Sequence, residues 1–185
     1  MRAVATRLGS LVTLVTLMTG CGSVPPTSPG VMAKEPTRLY WGDTHLHTSY
    51  SADAYFLGNR SAGPDTAYRW AQGLPVVHPS TQSRVQIRTP LDFLVVADHA
   101  EMLTVPERLM NGDPKLSNTP TGRKWIEMMG AGKGAQIFEY EFGAAINSNT
   151  PIADFDTESI KGAAWGDVVQ AAERHYAPCS FTSFI

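Results

Sequence analysis

The longest apolar run downstream of the N-terminal segment is Leu91 to Ala97, interrupted only by Asp92. Its length and composition predict a strand buried on both faces, as in parallel sheets. An earlier strand is predicted over residues 38–47, opening with the apolar triplet Leu39-Tyr40-Trp41. Between them, Pro64 near the start and Gly73 at the end frame a helix over 64–73, and Tyr68 and Trp70 read as packing residues. Residues 74–78 and 84–88 have strand character and, with Pro79 to Ser83 between them, predict an inserted hairpin. Residues 54–60 read as a loop carrying aromatic side chains, and 101–122 as a longer loop punctuated by Asn111-Gly112-Asp113-Pro114. Helices are expected over 123–129 and 135–147. A third covers 165–176, where Trp165, Val168, Val169, Ala172 and Tyr176 recur at helical spacing. From Pro178 a further strand begins. Strands alternating with helices place the chain in the α/β class.

The N-terminus follows a different pattern. Arg2 and Arg7 precede a short apolar segment, Leu8 to Met18, diluted by Gly9 and threonines. It is too short to span a bilayer securely and reads as a signal peptide over residues 1–20. Leu17-Met18-Thr19-Gly20-Cys21 resembles a lipobox, which makes Cys21 the expected lipidation site. With Gly22 following it, nothing marks retention at an inner membrane, so the expected location is a bacterial outer membrane, facing the periplasm. Residues 21–37, rich in Pro, Ser and Gly, read as the lipidated cysteine and a tether, leaving 38–185 as the folded domain. With Cys21 acylated, Cys179 has no intramolecular partner and is expected to be a small buried apolar residue.

Composition narrows the function classes. The 185 residues are enough for one domain with a real core, and 43% apolar with 17% charged content is globular. A net charge of −2 offers no electrostatic reason to expect nucleic-acid binding.

The candidate chemistry lies where the two main strands end. His45 and His47 stand two apart at the end of the first, so both project from one face, with Asp43 before them and Asp53 after. An isolated His-x-His is common in loops. Here it is matched some fifty residues later, where Leu91–Ala97 runs into Asp98-His99-Ala100-Glu101. Imidazoles and carboxylates converging from two strand ends can hold a metal ion.

The segments YWGDTHLHTSYSADAY, FLGNR and LDFLVVADHAE resemble the first two motifs of the polymerase-and-histidinol-phosphatase (PHP) superfamily. They look more narrowly like its DUF3604 branch, whose members are often bacterial lipoproteins. The resemblance runs from about residue 37 to 185. It implies a distorted β/α barrel of seven strands with metals at the C-terminal strand ends, of which this chain would be an incomplete, N-terminal part. It implies His45, His47, Asp53 and His99 as metal ligands. Asp98 is the carboxylate expected to serve the reaction, as an orienting group with a ligand role possible. Two or three divalent ions, zinc, manganese or iron, would then hydrolyse a small phosphate or related anionic ester. The later glutamate, histidine and aspartate ligands of the family have no counterpart here. The alternative expectation is therefore a truncated, inactive metal-binding remnant.

Other polar residues are assigned no chemistry. Gly130-Ala131-Gly132-Lys133-Gly134 lacks the Gly-Lys-Ser/Thr order and the preceding strand of a phosphate loop, and reads as a helix break. His78, His175, Glu139, Glu141 and Arg60 are expected at the surface.

Overall fold

In the computed structural model of the chain, residues 38–185 are described. The chain divides into two units, Met1–Met32 and Ala33–Ile185, and the described residues belong to the second. The expected signal peptide, lipidation site Cys21 and tether lie outside the described residues. In chain order the elements are β1 (Gly42–Leu46), α1 (Ala52–Phe56), α2 (Pro64–Ala71), β2 (Val76–Val77), β3 (Arg84–Val85), β4 (Phe93–Val96), α3 (Val105–Met110), α4 (Pro114–Ser117) and α5 (Pro120–Gly130). There follow α6 (Gly134–Gln136), a π-helical stretch (Ile137–Phe142), α7 (Gly143–Asn147), α8 (Glu158–His175) and β5 (Thr182–Phe184).

The apolar run around Leu94 becomes β4, the central strand of a parallel sheet ordered β1-β4-β5. Only one of its faces is fully buried: Leu94 and Val96 lie against α2 and α8 with Tyr68, Ala71, Ala171, Ala172 and Phe181, while Phe93 and Val95 on the other face are half-buried, so the expectation of burial on both faces fails. Pro64 occupies the first turn of α2, where its missing N–H is no loss, and Gly73 at φ 77° turns the chain away beyond its end. A Cβ on Gly73 would meet Pro90 at 2.7 Å, so the turn excludes larger residues on two grounds.

A second apolar cluster gathers Tyr55 and Phe56 of α1, Val105 and Leu109 of α3, Leu116, Trp125, Ile137, Phe142 and Ile160. Trp125 is fully enclosed, with Phe56 and Phe155 packed edge-on at 5.3 Å between ring centroids. Its indole N–H donates to Glu141 Oε2 at 2.8 Å, and Lys124 pairs with the other carboxylate oxygen at 2.7 Å. Glu141 is thus a structural acceptor, contrary to the expectation of a solvated residue, whereas Glu139 is exposed as expected.

Several sequence expectations need correction. Residues 38–41 precede the strand, and Leu39, Tyr40 and Trp41 are exposed. The loop expected over 54–60 contains most of α1, and the loop expected over 101–122 contains α3, α4 and the start of α5. Of the apolar face expected on the last helix, Val168 and Ala172 are buried, with Ile160, Ala164 and Ala171, whereas Trp165 and Tyr176 are exposed. Cys179 is exposed at φ 65°, so the expectation of a buried cysteine fails. The hairpin, the 64–73 helix and the helical segments after residue 123 appear where expected, with shifted ends. The sheet is a small parallel one, and no closed barrel forms among the described residues.

Candidate metal centre

Strand pairing creates the site. Leu46 lies opposite Val96, and Ala97 N–H donates to Leu46 O at 2.8 Å, so the chain leaves both strands side by side. The residues that follow, His47 to Ser51 and Asp98 to Ala100, are therefore neighbours although fifty positions apart. The site also sits where the two apolar clusters meet along the chain. Leu46 packs on one cluster and Ala52 belongs to the other, as Val96 and Met102 do on the second segment.

Short polar side chains lock the two segments together. The Asp98 carboxylate accepts from Thr48 N–H at 2.5 Å and from the Thr48 hydroxyl at 2.6 Å. His99 N–H donates to Ser51 Oγ at 3.0 Å. Thr48, Ser49 and Ser51 are all buried, so these bonds are sheltered from competing water. Ser51 also precedes α1, which carries Asp53 in its first turn, and Ala54 N–H donates to Asp53 Oδ1 at 2.6 Å. Each functional side chain is thus held by backbone that is itself tied down.

On this frame His47, Asp53 and His99 converge, with one ligand atom from each lying within 4.8 Å of the others. His47 Nδ1 is 2.7 Å from Asp53 Oδ2, and His99 Nε2 is 3.7 Å from the same oxygen. The His47 and His99 rings stand edge to face at 4.8 Å between centroids. His45 stacks on His47 at 4.9 Å, as the same-face expectation requires, but it is exposed and outside the converging trio. Its N–H is tied to Asp43 Oδ1 at 2.8 Å. Asp98 stands behind the trio, engaged by Thr48.

The two carboxylates are in different electrostatic states. Burial works against ionisation of Asp53, yet hydrogen bonds from Ser51, His47 and Ala54 outweigh it and hold the carboxyl below its ordinary range. For Asp98 burial dominates over the Thr48 bonds and pushes the carboxyl above that range.

The donor set suits a cation. Two imidazoles and one carboxylate form a mixed nitrogen and oxygen group of the kind that binds zinc, manganese or iron, and no lysine or arginine pairs with Asp53 among the described residues. A His47, Asp53, His99 group can hold a metal ion.

Three contributors were missed in the sequence: Thr48, Ser51 and Glu101. Small hydroxyl residues inside a motif look like spacers, and only the fold reveals what they bond. Glu101 Oε2 lies 3.8 Å from His99 Nδ1, on the outer side of the ring. The remaining histidines serve the scaffold. His78 Nδ1 accepts from Ser80 and Thr81 N–H in the hairpin turn, both at 3.2 Å. His175 stacks on Tyr68 and bonds Gln72 and Asp65. Arg60 is exposed.

Residues 34–185 match the family described as a protein of unknown function, DUF3604. The chain belongs to the DUF3604 family. No curated protein and no solved structure matched it. The DUF3604 match spans both strand-end segments and every member of the trio, so the candidate centre lies inside the family's own domain.

Proposed function

We propose that this DUF3604 protein is a metal-dependent hydrolase of the PHP type, acting on phosphate or related anionic esters. The observation that carries the reading is the convergence of His47, Asp53 and His99 from two strand ends around one point. His45, stacked on His47, is the proposed fourth contributor, able to serve a second ion. A PHP-type barrel is the architecture that would complete the β1-β4-β5 sheet, and two or three ions would fit its rim.

Divalent ions held there would supply a bound water of lowered pKa and positive charge facing the ester. The protein's own residues do the positioning. Asp53 Oδ2, close to both His47 Nδ1 and His99 Nε2, draws the two rings toward one point. Asp98 acts at one remove: its bonds to Thr48 hold the β1 exit against the β4 exit, setting the distance between His47 and His99. Ser51 sets the backbone of His99.

Metal analysis and an aryl phosphate assay on the purified chain test the reading. The expected result is bound divalent metal and hydrolysis, both lost in His47→Ala and His99→Ala. Metal content unchanged by either substitution would overturn it, and stoichiometric metal without hydrolysis would reduce it to a metal-binding protein.

We further propose attachment to a bacterial outer membrane, facing the periplasm, through a lipid on Cys21, supported by the lipobox-like run before it. The intact mass of protein recovered from envelopes tests this: an added diacylglyceryl group supports the anchor, and its absence removes it.

A further inference from the structure

Two clefts lie beside the candidate centre, and only one of them is lined by a member of the trio. One, of about 280 Å³, lies between Phe142, Ile146, Ile152 and Phe155 and meets the centre at Glu101, the carboxylate beside His99. The other, of about 220 Å³, lies between α2 and the β2–β3 hairpin. His47 itself lines it, its walls include Leu46, Trp70, Val76 and Val85, and no carboxylate borders it. An anionic group entering the first cleft meets no member of the trio, only Glu101, with Lys161 also in the lining. One approaching beside the second meets an imidazole of the trio with apolar surface directly behind it.

We propose that the cleft between Trp70 and the hairpin holds an aromatic or branched apolar group of the substrate, while the anionic group stands at His47. The inference rests on the metal-hydrolase reading and narrows its substrate class to anionic esters with one apolar substituent. The volume suffices: a cavity of about 150 Å³ lined by apolar side chains accepts a benzene ring. Trp70 offers an aromatic face, and the small side chains of Ala62 and Ala67 leave room beside it. This also assigns a purpose to the hairpin, whose Val76 and Val85 pair across the strands and turn toward the cleft as its outer wall.

The test is calorimetric titration of the full, metal-loaded chain with two inert anions, phenylphosphonate and methylphosphonate. The phenyl compound is expected to bind about tenfold tighter or more, because its ring leaves water for the cleft. Val85→Trp, which fills the cleft from the hairpin, is expected to erase that preference while leaving methylphosphonate affinity and metal content unchanged. Tryptophan emission should shift on adding the phenyl compound, and Trp70→Phe should abolish the shift. Equal binding of the two anions would overturn the cleft assignment and leave the hydrolase reading standing. A preference that survives Val85→Trp but is lost in Ile146→Trp would overturn it in favour of the other cleft. Should neither anion bind the loaded protein, the ester reading fails and the cleft assignment falls with it.

Discussion

Two histidine–aspartate pairs in this protein look alike in isolation and differ in everything around them. His47 and Asp53 meet at 2.7 Å at the rim of the sheet, and His175 and Asp65 meet at 3.0 Å between α2 and α8. The second pair is saturated. Arg174 holds Asp65 through two hydrogen bonds, Gln72 occupies the other ring nitrogen of His175, and Tyr68 stacks on its face. At the rim no lysine or arginine pairs with Asp53 among the described residues. A third ring, that of His99, leans toward the same aspartate oxygen instead. The contrast teaches that a carboxylate beside an imidazole is a potential ligand pair only while no protein cation has already claimed it.

Removing ligands should separate the pairs most sharply. His99→Ala is expected to lower metal affinity by about a hundredfold or more, while His175→Ala leaves it unchanged and lowers stability by about 1–2 kcal/mol. Metal titration and urea unfolding of both variants read the two effects. Equal metal loss in both would dissolve the distinction.

The next effect in size concerns the support. Thr48→Val removes the hydroxyl that binds Asp98 and leaves a buried carboxylate short of one partner. The expected destabilisation is about 1–3 kcal/mol, together with roughly tenfold weaker metal binding. If unfolding and metal affinity both match the wild type, Thr48 does not couple the strand ends.

The smallest effect is a pH dependence at the saturated pair. The Arg174 guanidinium, aided by His175 and opposed by partial burial, holds the Asp65 carboxyl below its ordinary range. A carboxyl depressed in the folded state stabilises the fold above its unfolded pKa, near 4, and that contribution disappears as pH falls through the lower folded value. Asp65 is half-exposed, so the contribution is at most about 1 kcal/mol. Asp65→Asn should therefore be slightly less stable than the wild type at neutral pH, with the gap closing below about pH 4. A gap that stays constant through acid titration would mean the carboxylate charge plays no part.

The comparison also explains what could be read in advance. His47 and His99 were identifiable because each follows a strand end, whereas Asp53, in the first turn of α1, was expected from the family resemblance. The apolar stretch at Leu91–Ala97 announced β4. Short elements carried no such signal. Five residues in α1, six in α3 and four in α4 are too few to display a helical period, so turn-forming residues dominated their reading. Leu39, Tyr40 and Trp41 misled in the other direction, because apolar character alone does not say which side of an edge is covered.

Residue identity along the chain was therefore enough to specify the α/β class, the central strand and the chemical types of the donor atoms, since these follow from local periodicity and side-chain chemistry. Which donors meet was a matter of three-dimensional packing. The pairing of Leu46 with Val96 sets His47 against His99, buried hydroxyls of Thr48 and Ser51 hold them there, and Arg174 withdraws an otherwise similar aspartate. Contacts between positions fifty or a hundred residues apart depend on how strands register and helices dock. No local pattern encodes them.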